Sequence, residues 1–218
     1  MVTIYSFYNE LLKKYGKQGW WPLLDLDSKK AVYSENGFGY HPGDYSYPKT
    51  SKQRFEICAG AILTQNTTWK NVEKALVNLK KKGLLEPEKI SNSSPEKVKE
   101  AIRPTGYFNQ KARKLKVFSD FFLELKKKPD REELLGLWGV GRETADSILL
   151  YAYKEPVFVV DAYTRRIFSG LSLIKGDEDY ETIRKIFENN ISRDYKIFQE
   201  YHALIVEHSK NLKKKIQD

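Results

Sequence analysis

Two glycines at the start of a predicted helix are the first feature of this sequence that can do chemistry. The segment Leu137-Trp138-Gly139-Val140-Gly141-Arg142 lies between two apolar, helix-forming stretches. Backbone amides at the start of a helix bind anions, and glycines let that backbone approach a phosphate closely. The segment therefore predicts a DNA-binding hairpin formed by Gly139, Val140, Gly141 and Arg142. An ordinary helical turn has the same short pattern, so the glycines alone leave that alternative open.

A carboxylate follows this hairpin at a spacing that should bring the two together. Asp161 stands twenty residues after Gly141, beyond one predicted helix and an apolar run at residues 157–160. That run should return the chain to the end of the helix at which the hairpin lies. A single Asp before a helix is most often only a cap. The pair is more specific, because hairpin and carboxylate would share one cleft, where an ionised Asp can stabilise developing positive charge and orient a water molecule.

The elements that position these residues are predicted to be helical. Apolar side chains recur at helical spacing, and residues that start or stop helices stand between the runs. Ser6 is the expected cap of the first helix, and residues 20–48 form a long structured loop rich in aromatic residues. Further helices are predicted at residues 55–63, 69–82, 95–102, 110–128, 131–137 and 142–153, directly after Asp161, and at 180–189 and 194–215, with a short β-rich run at 157–160. The expected fold class is all-α.

Composition favours a nucleic-acid partner and excludes several kinds of site. Lys and Arg number 38 against 29 Asp and Glu in 218 residues, a formal net charge of +9 that suits a polyanion but also occurs in proteins adapted to heat. Three lysine runs, residues 80–82, 126–128 and 213–215, are expected to form solvated faces that in part contact phosphate. Cys58 is the only cysteine, which excludes an intramolecular disulfide and a cysteine-ligated iron–sulfur cluster.

Neither a metal site nor a membrane segment is expected. His202 and His208 are six residues apart, which is not the helical spacing of a metal-binding pair. No apolar run approaches the roughly 20 residues that cross a bilayer, and the first residues lack a targeting pattern. We therefore expect a soluble cytoplasmic, nucleoid-associated protein.

The residues resemble a known family, the helix-hairpin-helix DNA glycosylases of the endonuclease III superfamily. Four segments stand in family order: Ala61-Ile62-Leu63-Thr64-Gln65-Asn66-Thr67, Gly106-Tyr107-Phe108-Asn109-Gln110-Lys111-Ala112, the hairpin, and Val159-Val160-Asp161. With Trp20-Trp21-Pro22 upstream, the chain looks most similar to the 3-methyladenine DNA glycosylase III branch.

The resemblance implies two helical domains with a DNA cleft between them. Residues 51–144 would form a six-helix, barrel-like domain that carries the hairpin. Residues 1–50 and 145–218 would together form a second domain that carries Asp161 as the catalytic carboxylate. Members with lyase activity have a Lys directly after the Arg142 position, whereas this sequence has Glu143. The resemblance therefore implies hydrolysis without lyase activity. The iron–sulfur loop that is usual in the family is absent, as the single cysteine requires, and its loss fits the 3-methyladenine branch.

The resemblance also implies a pocket for a damaged base. Trp20, Trp21 and Pro22 match the Trp-Trp-Pro of the branch, and Trp69 follows the turn that begins at Gln65. Trp stacks well on a cationic base, although each of these residues would also suit a core. Gln65 occupies the family position that fills the gap left by a flipped base. Lys210 would line the pocket, although a lysine near the end of a chain is usually exposed.

The expected activity is hydrolysis of the N-glycosidic bond of alkylated purines in duplex DNA, by a monomer without a cofactor. Two alternatives stay open: a glycosylase for uracil, mismatched thymine or an oxidised purine, and a DNA-binding module without catalysis. The stretch between Pro22 and Leu63 is longer than in compact members of the branch and rich in Tyr and Gly. It either walls the pocket or covers the surface.

Overall fold

The structure is a computed structural model that describes residues 2–217, with side chains up to residue 212, and its regular secondary structure is almost entirely helical. In chain order, the helices of this part are α1 (Ile4–Tyr15), α2 (Ser51–Leu63), α3 (Trp69–Lys81), α4 (Pro87–Asn92), α5 (Pro95–Ile102), α6 (Phe108–Glu124), α7 (Arg131–Leu135), α8 (Arg142–Ser147), α9 (Ala162–Gly170), α10 (Tyr180–Asn190) and α11 (Tyr195–Gln217). A two-residue strand β1 (Val32–Tyr33) pairs antiparallel with β2 (Gly39–Tyr40). The expected all-α fold class is confirmed.

The helices pack in two neighbouring groups. In one, α2 lies against α3 and α6, while α4 and α5 pack on α6. In the other, α11 lies against α1 and α9, and α1 also contacts α10. A π-helical segment, Ile148–Ala152, continues α8 and contacts both α2 and α11. The domain boundaries expected after residues 50 and 144 stay a prediction.

Local hydrogen bonds explain where the helices differ from expectation. Thr3, not Ser6, caps α1, because the Thr3 hydroxyl accepts from the Ser6 amide at 3.0 Å while the Ser6 hydroxyl accepts from the Thr3 amide at 2.8 Å. This reciprocal pair is a capping box, in which Ser6 is the third helical residue. Helix α4 was not predicted, since its six residues are too few to show a helical period. Residues 157–160 are buried but pair with no strand in the described chain.

The aromatic loop at residues 20–48 folds over α2 and α3, as a long structured loop. The amide of Leu24 donates to Glu56 on α2 at 2.7 Å, and Phe38 is fully buried. The segment therefore reaches the first residues of α3, where Trp69 stands. Within the described chain, none of the helices has the length and apolar character needed to cross a membrane.

Candidate active site

Asp161, the candidate catalytic carboxylate, lies at the N-terminus of α9. It is 8% exposed. The Oδ1 atom accepts hydrogen bonds from the amide and the hydroxyl of Thr164, at 2.7 and 2.8 Å. Asp161 therefore caps α9 as the sequence predicts, and the cap fixes the direction of the carboxylate while Oδ2 stays clear of these bonds.

His202 on α11 faces the free oxygen of Asp161. Its Nε2 lies 3.5 Å from Oδ2 of Asp161, and its Nδ1 lies 2.7 Å from the hydroxyl of Tyr151. Burial favours a higher pKa for Asp161, but the approach and charge of His202 and the two bonds from Thr164 outweigh it and lower the pKa below its ordinary value. Asp161 is consequently a carboxylate at neutral pH although it is buried.

Glu143 lies in the first turn of α8, close enough to Asp161 for their charges to interact. Desolvation of the carboxyl group, followed by the negative charge of Asp161, raises the pKa of Glu143. Its carboxylate cannot form the imine with a sugar that an amine forms. The Glu143 side chain, which lies near Asp161, therefore supplies no nucleophilic nitrogen.

The predicted hairpin lies between α7 and α8. Gly139 has a φ of 83°, a left-handed conformation that favours glycine, and a Cβ added there would lie 2.5 Å from Cε of Lys114. Val140 is 7% exposed and anchors the turn, whereas Gly141 and Arg142 are exposed. No atom lies within 4 Å of a Cβ built on Gly141. That open face of the backbone is accessible to an anion.

Gln65, just after α2, lies against this hairpin. Its Nε2 donates to the carbonyl of Gly139 at 3.2 Å and to the hydroxyl of Thr144 at 3.0 Å. The Nζ of Lys114 donates to Oε1 of the same side chain. The structure thus brings together Gln65 and the hairpin, which are far apart in the sequence.

Three tryptophans and one proline are expected in a base pocket, and all four residues line one small open pocket. Trp20, Trp21, Pro22 and Trp69 form its walls. Trp21 is 6% exposed, and its indole packs against the helix α2 at Gly60, where an added Cβ would lie 3.1 Å from Nε1 of Trp21. The rings of Trp21 and Trp69 meet at 90° with centroids 5.2 Å apart, so they contact each other edge to face and do not form a parallel pair on either side of a base.

The pocket lies next to the acidic centre. The ring of Trp20 is 5.8 Å from that of His202, edge to face, and His202 contacts Asp161. Lys210 on α11 places Nζ 5.9 Å from the centroid of the Trp20 ring, and half of its side chain is exposed. Lys210 therefore stands at the rim of the pocket.

Two further side chains belong to the site although sequence analysis did not single them out for it. His202 was considered only as a metal ligand, and Glu73 was not considered. Glu73 accepts a hydrogen bond of 2.9 Å from Nε1 of Trp69. Only a tertiary structure could reveal these contacts, because a charged residue on an amphipathic helix is typical of a solvated face.

Several lysines on the surface of the described chain form ion pairs. Lys80 pairs with Asp25, Lys82 with Glu100 and Lys128 with Glu155, so part of the first two predicted lysine runs is engaged in ion pairs. The side chains of the third run, residues 213–215, lie outside those described. In the described part, no group of three or more His, Cys, Asp and Glu is arranged to hold a metal ion.

Comparison with known proteins identifies a sequence family. A model of the HhH-GPD superfamily base excision DNA repair proteins matches residues 59–193, a span that includes the hairpin and Asp161. A Methanocaldococcus jannaschii protein, MJ1434, whose name assigns it provisionally to the DNA repair glycosylases, is 45% identical over 97% of this chain and 89% of its own length. Endonuclease III of Thermotoga maritima is 31% identical over 66% of this chain and 71% of its own.

Solved structures have the same fold. The 3-methyladenine DNA glycosylase MagIII of Helicobacter pylori, crystallised with 1,N6-ethenoadenine, matches with a TM-score of 0.72 at 30% identity, over 96% of this chain and 98% of its own. An endonuclease III bound non-covalently to DNA matches with a TM-score of 0.70 at 20% identity, over 94% of this chain and 85% of its own.

Proposed function

The chain belongs to the HhH-GPD superfamily of base excision DNA repair proteins, and we propose that it is a monofunctional DNA glycosylase for alkylated purines in duplex DNA. The reaction would hydrolyse the bond between a 3-methyladenine-like base and its deoxyribose, and leave an abasic site. The observation that carries this proposal is the buried Asp161 carboxylate next to a pocket walled by Trp20, Trp21, Pro22 and Trp69. The likeness to a 3-methyladenine DNA glycosylase supports it.

Asp161 is suited to the proposed chemistry because the carboxylate is ionised and held in one orientation. Breaking the N-glycosidic bond builds positive charge on the sugar, which a nearby carboxylate stabilises. The carboxylate can also orient a water molecule and accept its proton as that water attacks the sugar. An alkylated purine already carries positive charge and leaves as a neutral base, so the reaction requires no protonation of the base.

Hydrolysis without strand cleavage is proposed from Glu143. A lyase forms an imine between an amine and the sugar, and the residue beside Arg142 here is a carboxylic acid. The proposed enzyme would therefore act through water alone, with no cofactor.

We propose that DNA binds at the hairpin. The open backbone at Gly141 and the exposed Arg142 would hold a phosphate without reading sequence. Gln65, which hydrogen-bonds to the hairpin, would fill the space that a flipped base leaves in the duplex. We further propose that the protein acts as a monomer, with residues 51–144 and the two chain ends as the walls of the cleft.

A base-excision screen tests the proposal directly. Duplexes that each contain one defined lesion, among them 3-methyladenine, 7-methylguanine, uracil, mismatched thymine and 8-oxoguanine, are incubated with the protein. Strand breaks are scored before and after alkali. We expect alkali-dependent breaks at the alkylated purines only. Release of a different base would assign another lesion, and salt-sensitive binding without release of any base would assign a binding module.

A further inference from the structure

The buried carboxylate of Glu73 lies directly behind the aromatic pocket. Glu73 is 4% exposed and stands one helical turn after Trp69 on α3. Its Oε1 accepts a hydrogen bond of 2.9 Å from Nε1 of Trp69, and its Oε2 accepts one of 2.8 Å from Nδ2 of Asn36. Both donors are neutral, and an indole N–H can only donate. Each oxygen of the carboxylate therefore accepts one hydrogen bond from a neutral donor, which leaves its charge unbalanced.

No cation of the described chain compensates this charge. Lys70 pairs with Glu35, Lys80 pairs with Asp25, and among the side chains described none forms an ion pair with Glu73. An anion buried without a cationic partner is costly. A ligand that brings its own positive charge into the adjacent pocket would offset that cost.

We propose that Glu73 makes the pocket selective for positively charged bases, and that it acts through Trp69. The carboxylate that accepts from the indole N–H makes the ring richer in electrons, and it adds negative potential to the pocket wall. Both effects favour a cation beside the ring over a neutral base of the same shape. Glu73 thus determines specificity without contact to the reacting sugar. This inference rests on the proposed function and deepens it.

The aromatic loop holds this arrangement in place. Asn36, from the turn between β1 and β2, supplies the second hydrogen bond to Glu73. Phe38, which is fully buried, meets the ring of Trp69 edge to face at 6.0 Å. The loop at residues 20–48 therefore does more than cover the surface, since it fixes the charged partner of a pocket tryptophan.

A substitution that changes the charge and little else tests the inference. In Glu73→Gln, the amide oxygen still accepts from Trp69, and Asn36 can turn its own oxygen toward the new amide group. Binding is measured to two duplexes: one with 2′-fluorinated 7-methylguanosine, a cation whose fluorine suppresses base release, and one with its neutral 7-deaza-7-methyl isostere. We expect the preference of the wild type for the cationic duplex to fall about tenfold in Glu73→Gln, the size of a partly screened charge interaction.

Glu56→Gln is the matched control. Glu56 is also a buried acidic side chain, on α2, but burial raises its pKa to about 8, and it accepts from the amide of Leu24 and has no bond to Trp69. Its substitution should leave the preference for the cationic duplex unchanged. Thermal unfolding is followed for each variant. If Glu73→Gln does not fold, Glu73→Met provides a second neutral side chain of similar size, which removes the charge together with the acceptor of the Trp69 and Asn36 hydrogen bonds.

The outcomes separate this inference from the proposed function. Equal losses of affinity for both duplexes, or an unchanged preference, overturn the assignment of Glu73 while excision of alkylated purines by the wild type stands. A wild type with no preference for the cationic duplex overturns it as well. Failure of the wild type to release any alkylated purine in the excision screen overturns both.

Discussion

His202 Nε2 lies 3.5 Å from Asp161 Oδ2, in an almost fully buried pair contributed by α11 and α9. The hydroxyl of Tyr151 contacts the other ring nitrogen of His202 at 2.7 Å, which fixes the orientation of the imidazole. A buried carboxylate would ordinarily take up a proton more readily than an exposed one. The histidine, together with Thr164, reverses that tendency and keeps Asp161 in the charged form that the proposed reaction requires.

Replacing Asp161 with Asn should abolish most of the base excision. Asn caps helices as well as Asp does, so the fold should survive, whereas the charge does not. We expect the single-turnover excision rate to fall about 100-fold or more, with binding to the lesion duplex retained. Asp179→Asn is the matched control, because Asp179 caps α10 through the amides of Glu181 and Thr182 on the exposed surface. An Asp161→Asn variant that turns over normally would remove Asp161 from the mechanism.

Replacing His202 with Phe should move the acid limb of the pH–rate profile to higher pH. In the wild type the pKa of Asp161 is lowered, so the carboxylate stays charged as the pH falls toward that pKa. Without His202, burial is opposed only by Thr164, and the pKa of Asp161 rises. The variant should therefore lose activity at a higher pH than the wild type. The stability that the lowered pKa of Asp161 contributes above that pKa should be smaller in the variant at neutral pH, and the difference from the wild type should shrink on acidification.

The measurement is the single-turnover excision rate between pH 4 and pH 8, after subtraction of spontaneous base loss from the same duplex. Tyr151→Phe is an intermediate case, because it frees His202 to rotate without removing it. Profiles that coincide for the wild type and His202→Phe would show that the histidine has no influence on Asp161.

Local sequence signals were sufficient for the parts of the site that chain neighbours build. Asp161 was predicted as a cap and is one, since the residues that define a cap lie within one helical turn. The hairpin was likewise predicted from adjacent residues, and the structure adds that Gly139 adopts a left-handed conformation in it. Trp20 and Trp21 were assigned by their resemblance to a family motif, and Trp69 by its place after the turn that begins at Gln65.

Contacts between distant helices left no such signal. The pairing of His202 with Asp161 depends on how α11 packs against α9, and no period or motif encodes that distance. Glu73 on α3 has the same property, because a charged residue followed by Lys74 on an amphipathic helix suggests a solvated face. The short helix α4 was missed because its six residues give no period.

The residue beside Arg142 predicts the covalent chemistry. Borohydride should not trap the wild type on abasic or lesion DNA, because Glu143 has no amine to form an imine with the sugar. Glu143→Lys is the positive control, since it places an amine at the position of the lyase lysine. We expect borohydride to trap this variant on the DNA. Denaturing gels resolve the adduct from free DNA. A wild-type adduct would show that another lysine enters the cleft and that the enzyme has lyase activity.

The two hairpin glycines should respond differently to Ala. At Gly139 the φ of 83° and the nearby Lys114 side chain oppose a Cβ, so Gly139→Ala should lower the free energy of unfolding by about 1–2 kcal/mol. At Gly141 a Cβ meets nothing within 4 Å, and Gly141→Ala should fold as the wild type does. That Cβ would stand where a phosphate approaches, so DNA affinity should fall roughly tenfold. Thermal unfolding and DNA titration at fixed salt measure both, and unchanged affinity in Gly141→Ala would place the phosphate elsewhere.

Loss of the tryptophans that flank the pocket should affect lesion selectivity more than nonspecific DNA binding. Leu in place of Trp21 or Trp69 removes the π face that stacks on a cationic base, while phosphate contacts at the hairpin persist. Trp21 is 6% exposed, so Trp21→Leu should also cost several kcal/mol of stability. Trp69 is only half-buried, which makes Trp69→Leu the more informative variant.

For Trp69→Leu, the ratio of 3-methyladenine excision to affinity for undamaged DNA is compared with that of the wild type, per folded molecule. We expect the ratio to fall about tenfold, because stacking on one aromatic side chain contributes about 1–3 kcal/mol per base. Trp138→Leu is the control, since Trp138 is an exposed residue on the hairpin that stacks on Arg113 outside the pocket. If Trp69→Leu lowers the melting temperature while excision per folded molecule is unchanged, Trp69 serves the core and the base binds elsewhere.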